Sequence, residues 1–126
     1  MKYRKLGKNG PEVSEIGLGC WQLGADWGDP VSEELGLNIL QEAVSQGITL
    51  FDTADVYGQG KSESLIGRFL KSEKKPLQVI TKFGRGNGVY PDNYSKKTLF
   101  DSVEKSLERL GVETLDLIQL HCVPQE

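Results

Sequence analysis

The chain has 126 residues, the size of one ordinary domain, and reads as a single unit from 1 to 126. Its 37% hydrophobic and 26% charged residues exclude a disordered chain, and a net charge of −3 gives no electrostatic footprint for nucleic acid. No apolar run reaches membrane-spanning length and Met1-Lys2-Tyr3-Arg4-Lys5 leads into no signal-peptide core, so no membrane partner is expected and the expected compartment is the cytoplasm.

Residues 2–15 alternate polar and apolar side chains around Lys8-Asn9-Gly10-Pro11. Asn-Gly is a strong hairpin signal, so Tyr3–Leu6 and Glu12–Glu15 are predicted to pair as a two-stranded ribbon. Ile16–Cys20 is the first predicted core strand. It empties into a loop from Trp21 to Val31, whose two tryptophans are either hydrophobic cover or the wall of a ligand pocket. Ser32 caps a predicted helix with Glu33 and Glu34 in its first turn, Leu37, Leu40, Ala43 and Val44 as its apolar stripe, and Gly47 as its stop. The strand Leu50–Asp52 follows, then a loop through Tyr57, Gly58 and Gly60. Ser62 is predicted to start a second helix, with Leu65, Ile66, Phe69 and Leu70 on one side. Pro76 fixes the turn into the strand Gln78–Lys82, and a glycine-rich loop from Gly84 to Gly88 leads to a third helix capped by Ser95. Its predicted stripe is Leu99, Val103, Leu107 and Leu110, Gly111 ends it, and Leu115–His121 is the last strand. Lys74-Lys75 and Lys96-Lys97 read as solvated helix ends.

Strands separated by crossover helices must be parallel, with right-handed crossovers. Near-continuous apolar strands mean a sheet covered on both faces, which leaves a doubly wound sheet or part of a (β/α)8 barrel. Both folds build their sites at the carboxyl ends of strands. Three strands here end in a titratable group, Asp52, Lys82 and His121, the only histidine, and Tyr57 lies just beyond the first of them. Singly, each has a plain structural explanation: Asp52 as a loop cap, Lys82 snorkelling to solvent, Tyr57 on a rim, His121 as a satisfied polar group.

As a set they make chemical sense. Tyrosine is a poor acid near neutrality, with a reference pKa of about 10. A lysine cation stabilises its phenolate, and a buried aspartate is expected to hold that lysine charged and in place. A histidine across the pocket can donate a hydrogen bond to a developing alkoxide. Such a group hands a proton to a carbonyl oxygen while a hydride reaches the carbon, and since no side chain supplies hydride, a nicotinamide is required. One His and two Cys cannot build a structural zinc site of the usual kinds, so no metal is expected. Cys20 and Cys122, on the first and fourth neighbouring strands, would sit about 14 Å apart, too far for a disulfide.

The motifs carry a resemblance. Gly17-Leu18-Gly19-Cys20-Trp21 resembles the Gly-x-Gly-x-Trp that follows the first barrel strand of the aldo-keto reductases. Phe51-Asp52-Thr53-Ala54-Asp55-Val56-Tyr57-Gly58, with Ser62-Glu63 and Gly67 after it, is similar to that family's signature. Thr81-Lys82 and Leu115-Asp116-Leu117-Ile118-Gln119-Leu120-His121 resemble its lysine and histidine segments. The resemblance implies a TIM barrel with a leading β-hairpin, of which this chain supplies the amino-terminal half, about four parallel strands and three helices. It implies NADPH-dependent reduction of an aldehyde or ketone to an alcohol. Tyr57 would be the proton donor, Lys82 and Asp52 would set its acidity, and His121 would orient the carbonyl. Gly19, Cys20, Trp21 and Asp52 would meet the nicotinamide end of the cofactor. The family's contacts to the adenosine and phosphates come mostly from the other half, so the chain alone is expected to be weakly active or inactive.

Two other classes stay open. One is a non-catalytic binding or regulatory module on the same fold. The other is a lyase using Lys82 as a Schiff base, which a nearby Asp52 opposes by keeping the amine protonated. A half-barrel also leaves its first and last strands with unpaired edges, and two copies pairing those edges predict a homodimer.

Overall fold

The computed structural model describes residues 1–24, 28, 30–86 and 88–125, so Trp27 lies outside the described residues. A hairpin of β1 (Tyr3–Lys5) and β2 (Glu12–Ser14) comes first, with Tyr3 opposite Ser14 and Lys5 opposite Glu12. Each strand is one residue shorter than expected. Pro11 has no N–H to give the ladder, and the turn closes instead by the Leu6 N–H donating to the Pro11 carbonyl at 2.9 Å. The hairpin is fastened to the rest of the chain reciprocally: the Ser14 N–H donates to Thr49 Oγ1 and the Thr49 N–H to Ser14 Oγ, each at 2.9 Å.

Four strands then form one parallel sheet in sequence order: β3 (Leu18–Gly19), β4 (Leu50–Asp52), β5 (Gln78–Phe83) and β6 (Leu117–Leu120). The connecting helices are α1 (Glu33–Ser45), α2 (Lys61–Leu70) and α3 (Lys96–Leu110). This is the strand–helix alternation expected of part of a (β/α)8 barrel. β3 is shorter than the predicted Ile16–Cys20 because its partner offers only Phe51 and Asp52 for pairing, and Ile16 is left 61% exposed. A 3-10 turn, Gln22–Gly24, follows it where a plain loop was expected.

The core lies between the sheet and the helices. Phe51 and Val79 point from the strands to Leu40, Val44, Ile66 and Phe69 of α1 and α2, with the Phe51 and Phe69 rings 6.2 Å apart. α1 follows expectation: Ser32 Oγ accepts from the Leu35 N–H at 3.1 Å, and Leu40, Ala43 and Val44 are buried. α3 follows it in part. Ser95 and Thr98 form a capping box and Gly111, at φ 66°, ends the helix in the left-handed region. The buried positions are Ser102, Ser106 and Leu110, while Leu99, Val103 and Leu107 are only half-buried. The face turned inward is therefore rotated toward serines, for a reason found in α2.

Candidate active site

Side chains alternate along a strand. Phe51 and Val79 face the helices, so Asp52 and Lys82 emerge on the opposite face, at the carboxyl ends of β4 and β5. There Lys82 Nζ donates to Asp52 Oδ1 at 2.5 Å and to the Thr53 carbonyl at 2.7 Å. The Lys82 side chain is 13% exposed, and a cation so enclosed needs such partners. The Asp52 side chain is 41% exposed, so the expectation of a buried acid is corrected: it is half-buried at the end of β4, with Lys82 against one oxygen.

The loop after β4 brings Tyr57 over Lys82. The Tyr57 N–H donates to the Ala54 carbonyl and its own carbonyl accepts from the Ser62 N–H, both at 3.2 Å. Just beyond, Gly58 at φ 60° lies on Gly24 so closely that a Cβ there would fall 2.1 Å from the Gly24 oxygen. Glycine on both sides lets the Tyr57 loop settle on the 3-10 turn. Lys82 Nζ is 5.1 Å from the centre of the Tyr57 ring, and the His121 ring stands edge-on to that ring at 6.1 Å and 90°.

His121 extends the β5–β6 ladder, its N–H donating to the Phe83 carbonyl at 2.7 Å. Its Nδ1 is enclosed and has no partner among the described residues. Burial first, then the positive charges of Lys82 and Arg85, pushes the imidazole pKa below its ordinary value. His121 is neutral at pH 7 and keeps one ring nitrogen as a donor.

The structure thus brings together Asp52, Tyr57, Lys82 and His121. Of the other predicted site residues, Gly19 pairs with Asp52 in the β3–β4 register and is exposed, and a Cβ there would meet nothing within 4 Å. Trp21 is 41% exposed. The Cys20 side chain turns the other way, fully buried in the helix-side core, and only its backbone is near the site face. Burial and the Asp52 charge push that thiol up to about 12, so it is not a nucleophile at neutral pH. Both cysteines are free, as the strand order requires.

A second set of polar residues lies directly behind the first, and sequence reasoning missed it. α2 starts at Lys61, one residue before the expected Ser62, and Gly60, at φ 94°, holds the cap position without a side-chain bond. Ser62 is buried inside the first turn, where its hydroxyl donates to the Cys20 carbonyl and shares a hydrogen bond with Thr53 Oγ1, both at 2.8 Å. Glu63 has no exposed surface; its Oε1 accepts from Thr81 Oγ1 at 2.5 Å and its Oε2 from Arg109 Nε at 2.6 Å. Asp55, 4% exposed, accepts from Ser102 Oγ at 2.9 Å. Placed at the start of a helix, Ser62 gave no sign in the sequence of the Cys20 carbonyl and Thr53 hydroxyl it meets. The signal for Glu63 was its spacing: Glu63, Ile66 and Leu70 recur at i, i+3 and i+7, which puts the carboxylate on the apolar face.

Comparison with known proteins decides the family. The sequence model described as Aldo/keto reductase family matches residues 15–126. The chain belongs to the aldo-keto reductase family. It is 42% identical over 123 residues to the "Probable aldo-keto reductase 1" of Glycine max, covering 94% of this chain and 36% of that protein. Among solved structures, aldo-keto reductase AKR11C1 from Bacillus halodurans in its holo form superposes with a TM-score of 0.80 at 37% identity, over 96% of this chain and 40% of that one. An aldo-keto reductase from Klebsiella pneumoniae in complex with NADPH superposes with a TM-score of 0.74 at 26% identity, over 91% of this chain and 37% of that one. The chain therefore spans less than half the length of the relatives it matches, and its fold is the corresponding part of the aldo-keto reductase barrel. The family is one of oxidoreductases. No helix among the described residues is long and apolar enough to cross a membrane.

Proposed function

We propose that these residues carry the proton-transfer half of a nicotinamide-dependent reduction of an aldehyde or ketone to an alcohol. The observation that carries the reading is Lys82, bonded to Asp52 and lying against the Tyr57 ring, with His121 on the ring's edge. Tyr57 is the proton donor. The Lys82 cation favours the phenolate left behind, and Asp52 with the Thr53 carbonyl holds that cation at the ring. Neutral His121 donates a hydrogen bond to the substrate oxygen and orients it, which a protonated or displaced imidazole would do less selectively. The substrate is a small carbonyl compound.

NADPH is the cofactor we propose, on the strength of the NADPH-bound relative. The residues fit the nicotinamide end: Gly19 leaves open space beside Asp52, and half-exposed Trp21 can cover a flat ring. Bound there, the nicotinamide supplies the hydride that no side chain can. We place the protein in the cytoplasm, and we propose that two copies associate through the open edges of the sheet.

The test is a fluorescence titration of the 126-residue chain with NADPH and NADH, followed by NADPH consumption with a small aldehyde. Saturable, weak quenching of tryptophan emission by NADPH is expected, with slow turnover. Tyr57→Phe should keep the binding and lose about 10²–10⁴-fold in turnover, the range of a positioned general acid. Absence of saturable binding defeats the reading for this chain, and undiminished turnover in Tyr57→Phe removes Tyr57 from its role.

A further inference from the structure

The first turn of α2 is bonded at or beside the ends of three of the four strands that carry the candidate site. Ser62 bonds the Cys20 carbonyl after β3 and Thr53 after β4, and Glu63 bonds Thr81 of β5. These partners are the sequence neighbours of Gly19, Asp52 and Lys82, which strand alternation turns to the opposite face. Arg109 closes the set from α3, and its Nη2 reaches Ser106 Oγ at 3.4 Å.

We propose that Glu63 is a positioning residue for Lys82, acting through Thr81, an inference that rests on the carbonyl-reduction reading above. Glu63 is a fully enclosed carboxylate, and burying a charge costs several kcal/mol unless it is paired and hydrogen-bonded. An apolar residue would fill the same space between α2 and β5. The geometry shows what the carboxylate does that an apolar residue cannot. It gives Thr81 a directional bond, which fixes both the height of β5 against α2 and the rotation of that strand. Lys82, one residue on, must reach two acceptors at the end of β4, Asp52 Oδ1 and the carbonyl of Thr53 just beyond it. Thr53 is itself bonded to Ser62, so the donor strand and the acceptor strand are both referenced to the same turn of α2. Arg109 takes the other carboxylate oxygen, Oε2, and so fixes the orientation in which Oε1 meets Thr81.

His121 gives a readout that needs neither cofactor nor turnover. It is the chain's only histidine, so one proton-NMR titration curve reports it without ambiguity. The Lys82 charge is among the causes holding its pKa down. Thr81→Val deletes the hydroxyl with little change of shape and should let Lys82 drift, moving the His121 midpoint upward. Glu63→Gln should move it the same way. Thr81→Ser keeps the hydroxyl and should keep the wild-type midpoint. Val44→Ala, a core truncation in α1, should lower the melting temperature with no movement of the midpoint. A wild-type midpoint in folded Thr81→Val or Glu63→Gln, or a shifted one in Thr81→Ser, overturns the proposal and leaves Glu63 a structural group. Failure of the chain to bind NADPH would defeat the functional reading without altering these curves, so the two are separable.

Discussion

Asp55 is the residue whose environment most needs a consequence. Its carboxylate is 4% exposed, accepts one bond from Ser102, and has an Oδ1 with no partner among the described residues. The groups around it are Glu63 of α2, which repels it, and Arg109 of α3, which attracts it more weakly than burial opposes it. Burial therefore raises its pKa above the ordinary value of about 3.9. The folded state then binds more protons than the unfolded state in the window above that value. Stability from this group is complete below the unfolded pKa and is lost as pH rises through the folded one. Asp55→Asn removes the titration, so its stability relative to wild type should improve steadily as pH rises from about 4 toward 7. Urea midpoints measured across that range check it, and parallel pH profiles for the two proteins would refute it. Sequence could not have singled Asp55 out. Asp55 lies three residues past Asp52, beyond the strand end, and nothing in the chain order says that it meets a serine from residue 102. Asp52, Lys82 and His121 were legible because strand ends and alternation alone place them.

At the level of elements, α1 was read correctly because its stripe meets an apolar sheet face and nothing competes with hydrophobic periodicity. α2 packs by its expected apolar stripe but carries a polar set beside it, and α3 turns a different face inward, for one reason. Between and beside them lie buried Glu63, Ser102 and Ser106 and half-buried Arg109, and Glu63 and Ser102 are satisfied by partners from other elements. Periodicity weighs apolar residues, so it rotated α3 toward Leu99, Val103 and Leu107. Gly67 is what lets the two helices come close enough for that polar contact. A Cβ at Gly67 would lie 2.3 Å from the Arg109 carbonyl oxygen and 2.8 Å from the Leu110 carbonyl carbon, both backbone atoms that cannot rotate aside. Ala has the better helix propensity, by about 1 kcal/mol, so propensity alone expects Gly67→Ala to stabilise. The geometry expects the opposite, a net loss of about 1–3 kcal/mol from overpacking, with α3 pushed off Glu63. Urea denaturation decides between the two signs.

For the whole molecule, the question is what happens at the two ends of the sheet. β3 and β6 each have one strand neighbour, and β6 is four residues of exposed or half-exposed backbone edge. Ile118 and Leu120 are 37% and 56% exposed, on the same face as Thr81 and Phe83, and Val123 beyond them is 64% exposed. An unpaired edge flanked by apolar side chains is a template for another strand. Charge does little to prevent it: β6 itself carries none, and no Lys, Arg or Pro interrupts Leu117–Leu120. The chain of 13.9 kDa should therefore show a weight-average mass that climbs with concentration in sedimentation experiments. Ile118→Lys with Leu120→Lys should restore the monomer mass, because a lysine at an edge must be desolvated before another strand can pair there. The His121 titration should be unaffected in that variant, since both substituted side chains project from the face opposite to the Asp52–Lys82 pair. If the wild-type chain sediments as a monomer at every concentration, edge pairing is not how it associates. If it associates and the double variant associates equally, the contact lies elsewhere, with β3 the other free edge of the parallel sheet.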